Sequence, residues 1–476
     1  MPRKRAKLRG KRDFLSDSIP LLVGRNPNRV APAHITNGFT CSAVGPGAMA
    51  GPVRALVREY LADGSINWLS QSIAADTRRR HQFADALGIV INPDKRVFPK
   101  SGSFFPLHAA LVDRNISDDG FGRDIWRLLS SCRRDAHDII KALLSVQEVE
   151  DGLCALGAAM GAGQDTAEDR SSDRPWPWLD EGASPLAKKF SKSLANLVLN
   201  PVVLDEARVR SVRLASLSRA VACAAFVGSL RAPELSLRKP RSWSDVAPLF
   251  VYGGVPPGQA RGLAVRLASR SFKAVVEAQL AALRDAFSRR LEGARIPRQT
   301  PRGQQFDAVL SVAFPSVPVG LRDTVVAEIG WNDDRSKAAR QLARAVYPPG
   351  HLESAYRTIG RMIGLAGPDR GFGTPRFLLE TPMLALLVAA TADSNMPVSY
   401  QDWLDAVYDR FGLVLGTGTH TDAIELLQPL GFGGALEHAV EENHDLLRRR
   451  LVRSGLATEY SDGETEVHAP FVSARE

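Results

Sequence analysis

The stretch that decides the fold is LEHAVEENHDLLRRRLVRSGLATEYSDGETEVH, residues 436–468. Its apolar spacing predicts a helix that ends at Gly455, because glycine readily takes the left-handed conformation that closes a helix. Two β-prone runs follow around the turn Ser461-Asp462-Gly463, so the pattern predicts a short hairpin. Two amphipathic helices are predicted upstream. The predicted elements are helices over 381–392, 399–411 and 436–454 and strands over 456–460 and 464–468.

The same order of elements occurs near the start of the chain. A helix that contains three consecutive arginines ends at Gly88, and two short β-prone runs follow around Asn92-Pro93-Asp94-Lys95. Two helices followed by a charged third helix and a hairpin are typical of a winged helix, a variant of the helix-turn-helix. We therefore predict a mainly α fold, in which a helical body is flanked by N- and C-terminal winged-helix domains with small β-hairpin wings. The first copy comprises predicted helices over 52–62, 65–70 and 71–87 and strands over 89–91 and 96–98.

Between the two ends the sequence predicts a helical protein with one polar interruption, rich in turn-forming residues. Trp176 and Trp178 are unusual in such an interruption, because indole rings are usually buried, so we expect them to dock on a partner or on the chain itself. Long helices are predicted over 203–230 and 257–291. The predicted segments are a basic tail over 1–16, the N-terminal winged helix over 17–103, a helical region over 104–160, a linker or exposed loop over 161–185, a helical body over 186–370 and the C-terminal winged helix over 371–476.

Composition favours a globular, cytoplasmic protein. Hydrophobic residues make up 44% and charged residues 24% of the chain, which is ordinary for soluble domains. No apolar run reaches the roughly 20 residues that a membrane helix needs, and the basic start has no apolar stretch typical of a secretory signal, so no membrane contact is predicted. The four cysteines are scattered and form no CxxC pair, which fits a reducing compartment and argues against structural zinc.

The positive charge is concentrated near the N-terminus. The net charge is +9, and residues 1–12 hold seven Lys or Arg residues and no acid. Such a run attracts phosphates through counterion release, although a merely solubilising terminus explains it equally well. The arginine helix and its basic hairpin favour contact with double-stranded DNA, whereas the alternative is the solvated face of an ordinary helix. The predicted nucleic-acid-binding residues are Arg3, Lys4, Arg5, Lys7, Arg78, Arg79, Arg80, Lys95, Arg96 and Lys100.

The C-terminal hairpin has the opposite charge and predicts a protein partner. It contains four acids and no Lys or Arg between Gly455 and Pro470, so it would repel phosphate. The preceding helix has acids in its N-terminal half and Arg448, Arg449, Arg450 and Arg453 near its end, as the helix dipole favours. Basic stripes on the long middle helices, among them Arg208, Arg210, Arg213 and Arg219, would either lengthen a DNA footprint or be solvated surface. The secondary nucleic-acid candidates are Arg266, Arg270, Lys273, Arg448 and Arg449.

No motif of a known catalytic chemistry is present. The chain has no GxxxxGK[ST] phosphate loop, no HExxH zinc motif and no GxSxG nucleophile elbow. The pairs His137-Asp138 and His444-Asp445 lack the further ligands that a metal-dependent hydrolase needs. We therefore predict no catalytic residue, no metal and no cofactor. A nuclease whose acids come together from distant positions is the least favoured alternative.

A resemblance extends this interpretation. The segment from Phe377-Leu378-Leu379-Glu380 through Arg410-Phe411-Gly412-Leu413-Val414-Leu415-Gly416 resembles helical, winged-helix accessory proteins encoded in bacterial DNA-modification and phage-defence clusters. That resemblance implies a non-enzymatic accessory subunit for antiviral defence or DNA modification, which positions an ATPase, helicase or nuclease on duplex DNA. Two winged helices around a helical middle also resemble kleisin subunits, which would imply an assembly scaffold that uses them for protein contacts only.

Overall fold

The computed structural model describes most of the helical body and the C-terminal end. The described residues are 19–22, 30, 32–45, 120–144, 176–254, 262–295, 305–315, 317, 319–329, 335–368, 374–392 and 396–469. In this part the protein is mainly helical, as predicted. The basic tail, the helices and hairpin of the first predicted winged helix, and most of the predicted linker lie outside it. So do Arg3, Lys4, Arg5, Lys7, Arg78, Arg79, Arg80, Lys95, Arg96 and Lys100.

Fifteen α-helices and seven short strands occupy the described residues. The helices are α1 (Pro32–Val44), α2 (Phe121–Cys132), α3 (Ala136–Leu144), α4 (Pro185–Val198), α5 (Pro201–Leu204), α6 (Arg210–Leu237), α7 (Leu263–Gly293), α8 (Gln305–Ala313), α9 (Val319–Ile329), α10 (Arg335–Val346), α11 (His351–Ile363), α12 (Thr381–Thr391), α13 (Tyr400–Phe411), α14 (Ala423–Leu427) and α15 (Leu436–Arg453). The strands are β1 (Leu249–Phe250), β2 (Ala366–Gly367), β3 (Arg376–Phe377), β4 (Val398–Ser399), β5 (Leu413–Val414), β6 (Ala457–Glu459) and β7 (Thr465–Val467).

The central element is α6, a 28-residue helix that packs against α1, α4 and α7. The prediction that this helix begins at residue 203 is wrong. Asp205 breaks it, since its carboxylate accepts the backbone N–H of Ala207 and the guanidinium of Arg208. The helix then continues past Pro233, whose missing N–H leaves the Ser229 carbonyl without its helical donor. The Tyr356 hydroxyl of α11 donates to that carbonyl at 3.0 Å.

The arginines at the start of α6 do not form the predicted basic stripe. Arg210 is only 4% exposed, and its Nε donates to the Leu143 carbonyl of α3 at 2.7 Å. Arg213 donates to the Val203 carbonyl of α5 at 2.8 Å, whereas Arg219 is exposed. Carbonyls at helix ends have no partner within the helix, and a guanidinium can donate hydrogen bonds to them. Arg210 and Arg213 make such bonds, although their charge alone would suggest that they face solvent.

One segment of the described chain, Val212–Leu237, has the length and apolar composition to cross a membrane. Most of its apolar window is buried inside the protein. Small residues such as Ala220, Ala224 and Gly228 let neighbouring elements approach it, and the Leu21 side chain lies directly over Gly228. The helix therefore has the surroundings of a core helix in a globular protein.

The aromatic residues of the predicted exposed linker are buried. Trp176 is fully buried and Trp178 is 2% exposed, and their rings meet edge to face with centroids 5.1 Å apart. Each indole N–H has a hydroxyl acceptor, Ser191 at 3.1 Å and Ser236 at 3.0 Å. The tryptophans thus anchor residues 176–179 of the predicted linker, and they dock on the chain itself, one of the two alternatives considered.

The main hydrophobic core extends from Ile19 to Ala469. Residues from both predicted end domains, from the helical region and from the body contribute to it, and α1 packs on α2 and α6. A smaller second core lies between the start of α7, α14 and the start of α15. The predicted domain boundaries stay predictions.

Candidate interaction surface of the C-terminal module

The C-terminal module comprises the described residues of 374–469. The helices and strands predicted for it are confirmed to within one residue at each end. Its sheet has the order β4–β7–β6, with both pairs antiparallel, so β7 is central. Strand β4, between α12 and α13, thus pairs with the hairpin that follows α15. The sequence did not predict this strand.

Buried aromatic residues with polar tips fix the helices of this module. Trp403 of α13 is fully buried, and its indole N–H donates to the Thr391 hydroxyl of α12 at 2.9 Å. Tyr400 is also buried, and its hydroxyl donates to the His444 carbonyl of α15 at 3.1 Å. Because each ring has a partner for its polar atom, the two residues hold α13 between α12 and α15 without an unsatisfied group.

The inward face of α15 is an apolar stripe interrupted by two polar residues. Asn443 is fully buried and makes three hydrogen bonds to backbone: it accepts from Gly253 N–H at 2.8 Å and donates to the carbonyls of Val251 at 3.0 Å and Leu415 at 2.7 Å. These bonds connect α15 to the body and to the segment after α13. The apolar members of the stripe are Leu436, Ala439, Val440, Leu447 and Leu451.

Arg450, expected among the basic residues at the end of α15, is instead 7% exposed on the same stripe. Its guanidinium donates to the carbonyls of Gly253 and Gly254 at 3.1 Å, to the Leu379 carbonyl, and to the Thr381 hydroxyl at 3.0 Å. Burial lowers the pKa of this guanidinium. The sequence did carry a signal, because positions 443, 447 and 450 share one helical face with the leucines.

The outward face of α15 is acidic in its N-terminal half and basic near its end, where Arg449 and Arg453 are exposed. Glu437, Glu441 and Asp445 are exposed. The two predicted nucleic-acid candidates on this helix are engaged locally: an Arg448 guanidinium nitrogen lies 3.5 Å from a Glu459 carboxylate oxygen, and Arg449 Nε donates to the Asp445 carbonyl at 3.2 Å. Each contact lies at the surface, where it constrains the side chain only weakly.

The hairpin β6–β7 also exposes acids. Glu459, Asp462 and Glu464 are exposed, and Asp462 accepts the Glu464 N–H at 3.0 Å in a turn that Gly463 completes with φ +87°. Tyr460 is 46% exposed and donates to the Glu466 carboxylate at 2.8 Å. This bond raises the pKa of the Tyr460 hydroxyl.

No protein-family model, no curated protein and no solved structure matches this chain.

The basic candidates of α7 divide into two kinds. Arg270 anchors the loop before α15, since its guanidinium donates to the Gly431 carbonyl at 2.5 Å and lies 5.0 Å from the centre of the Phe432 ring. Arg266 and Lys273 are exposed on the same side of the helix. Both side chains are accessible to solvent, and their role as nucleic-acid contacts stays a prediction.

The described residues contain no group of three or more His, Cys, Asp or Glu side chains that could hold a metal ion. His444 is half-buried, with its ring 4.7 Å from the Tyr400 ring. Burial is the main cause that lowers the pKa of this imidazole, against the opposing effect of Asp445. Its surroundings are those of a packed side chain in the module core.

Proposed function

We propose that this protein is a non-enzymatic DNA-binding accessory protein whose C-terminal module is a winged helix that contacts a protein. The N-terminal winged helix and basic tail hold duplex DNA, and the C-terminal module holds an ATPase, helicase or nuclease of a bacterial defence or DNA-modification system. The observation that carries the assignment of the C-terminal module is its acidic outer surface, formed by the N-terminal half of α15 and the β6–β7 hairpin.

The order of elements supports the winged-helix assignment. Helix α12, strand β4, helix α13, helix α15 and the β6–β7 hairpin follow one another, and the three strands form one antiparallel sheet. This is the arrangement in which a third helix and a wing are presented together. The insertion between α13 and α15 adds β5, which pairs in parallel with β1 of the body.

The surroundings of α15 argue against its insertion into a DNA groove. A DNA-reading third helix presents its N-terminal residues to base edges. Here the N-terminal half of α15 packs on α7 and α14 through Leu436, Ala439 and Val440, and its free positions include Glu437 and Glu441. Acids within a Debye length of about 8 Å of a phosphate backbone would repel it. A basic protein surface would be attracted and steered by the same charges.

The protein contact can be tested by placing a photo-crosslinking amino acid at Asp462, at the tip of the hairpin, in cells that express the full chain. We expect a protein adduct, and we expect the simultaneous changes Glu459→Lys, Glu464→Lys and Glu466→Lys to abolish it. The same crosslinker at the exposed Arg340 of α10 is the matched control. A nucleic-acid adduct at Asp462 would contradict the assignment, and so would a protein adduct that survives charge reversal.

The DNA contact is tested by duplex binding across a salt series. We expect Arg78→Ala, Arg79→Ala and Arg80→Ala together, in a chain that lacks residues 1–12, to weaken binding and to reduce its salt dependence. The lysine-substituted hairpin described above serves as a control, and its Arg78 to Arg80 cluster is intact. Unchanged affinity in the arginine variant would remove the DNA role and leave an assembly scaffold that contacts proteins only.

A further inference from the structure

A buried arginine without a partner lies where the body meets the C-terminal module. Arg376 of β3 is 8% exposed, and among the described residues its Nε has no hydrogen-bond partner. Strand β3 continues to Leu378, which forms a parallel bridge with Tyr252 of the body, and Tyr252 N–H donates to the Phe377 carbonyl at 3.2 Å. Arg376 and Leu378 are two residues apart, so they occupy one face of this strand.

A second guanidinium group, that of Arg450, lies close to Tyr252 as well. Tyr252 interacts electrostatically with both Arg376 and Arg450, and burial lowers the pKa of both guanidinium groups. Arg450 donates to carbonyls and to a hydroxyl, which carry no compensating charge. Two carboxylates lie nearby. Glu380 interacts with Arg450, and Glu442 accepts the Ala264 N–H at 3.1 Å at the start of α7.

The Tyr252 side chain completes the arrangement with a hydroxyl donor. Burial raises the pKa of this phenol, so the hydroxyl keeps its proton at neutral pH. Gly254 leaves space for it, because a Cβ at that position would lie 2.3 Å from the Tyr252 oxygen. A protonated hydroxyl beside a free guanidinium can donate to the same acceptor.

We propose that Arg376 and Tyr252 bind a small oxyanion that carries a phosphate or carboxylate group. Buried charges in native proteins are paired, and a buried donor without an acceptor carries a large desolvation cost. A guanidinium fork matches the oxygens of a carboxylate or phosphate. The burial of Arg376 limits the ligand to a small molecule or a single protruding group. Tyr252 belongs to the body and Arg376 to the module, so the bound anion stabilises their junction.

Binding is tested on the full chain by equilibrium dialysis with labelled inorganic phosphate and, separately, labelled acetate, at one ionic strength set with sodium chloride. We expect about one ligand per chain. Tighter binding of phosphate would identify a tetrahedral oxyanion, and tighter binding of acetate would identify a planar one. Arg376→Met should weaken binding by at least about tenfold, as expected when charge-assisted hydrogen bonds are lost. Arg340→Met, a change at an exposed arginine of α10, should bind as the wild type does.

Thermal unfolding gives a second readout. The preferred ligand should raise the wild-type midpoint in a saturable manner, because it binds only the folded state. Arg376→Met should lose this increase and keep the general stabilisation that phosphate salts give to any protein. In ligand-free buffer Arg376→Met should be at least as stable as the wild type, because an unpaired buried charge has been removed.

Three results would overturn the proposal. The first is a wild type that binds neither phosphate nor acetate. The second is an Arg376→Met chain that binds the ligand as tightly as the wild type. The third is a large loss of stability of Arg376→Met in ligand-free buffer, or its failure to fold, which would show that the guanidinium is a structural partner. These outcomes are independent of the crosslinking and duplex-binding results that test the proposed function.

Discussion

The two faces of α15 use the same kinds of residue in opposite ways. On the inward face, Asn443 and Arg450 are buried and donate to backbone carbonyls of the body. On the outward face, Asp445 and Arg449 lie one helical turn apart and face solvent. A polar side chain of this helix is therefore buried if it lies on the apolar stripe and is available to a partner if it does not. Its charge does not decide between the two.

The energetic consequences differ as much as the positions. Removing one partner of a buried hydrogen bond costs roughly 1–3 kcal/mol for each group left unsatisfied. An exposed ion pair contributes about 0–1 kcal/mol and weakens with salt. Substitutions on the inward face should thus report on the junction between body and module, and those on the outward face on partner binding alone.

The largest effect is expected for Asn443→Ala. The change leaves Gly253 N–H and the carbonyls of Val251 and Leu415 without their buried partner. We expect the free energy of unfolding to fall by about 3–5 kcal/mol, measured by denaturant unfolding. Glu441→Ala, on the exposed face of the same helix, should change it by less than about 0.5 kcal/mol. A loss below about 1 kcal/mol for Asn443→Ala would show that these bonds are not formed in solution.

A somewhat smaller effect is expected for Arg450→Met. The variant loses the bonds to Gly253, Gly254 and Thr381, but it also removes a charge from a buried position. We expect a loss of about 2–3 kcal/mol in the same measurement. Arg449→Met is the matched control, one residue away and exposed, and it should be nearly neutral. Equal effects of the two changes would contradict the distinction between the faces.

The contrast between the faces also shows what sequence could predict. The helices and hairpin of the C-terminal module follow from local periodicity and turn residues, and their ends are correct to within one residue. The parallel pairing of β1 with β5 could not be predicted in this way. It joins residues far apart in sequence, and each strand is only two residues long.

The positions of the arginines were predicted least well, because a charged side chain is expected to face solvent. Arg210 and Arg450 satisfy carbonyls in the interior, and Arg376 is buried without a partner among the described residues. Helical spacing would have placed Arg450 inside, whereas the two-residue strand around Arg376 gave no periodicity to read. Trp176 and Trp178 were recognised as anomalous from residue type alone, but their serine acceptors lie on α4 and α6 and could not be found from the local sequence.

An intermediate effect on stability is expected when the pH is lowered. It involves His444, which lies at the edge between the two faces of α15. Burial lowers the pKa of His444 in the folded protein. As pH falls below the unfolded value of about 6.5, the unfolded chain takes up protons before the folded one, so stability is lost. Above that value the contribution is fully present. His444→Gln should therefore lose less stability than the wild type between pH 7 and pH 5, measured by denaturant unfolding at each pH. Parallel pH profiles would contradict the burial of this ring.

The smallest effect is expected on the outward face, for the pair Arg448 and Glu459. Their side chains are 31% and 41% exposed, and the closest nitrogen and oxygen are 3.5 Å apart. A double-mutant cycle with Arg448→Ala and Glu459→Ala should give a coupling of about 0.2–1 kcal/mol that declines as salt is added. A coupling above about 2 kcal/mol would mean that this pair is part of the fold. In that case Glu459 would not be available to a basic partner, and the acidic surface would have to act through the remaining hairpin acids.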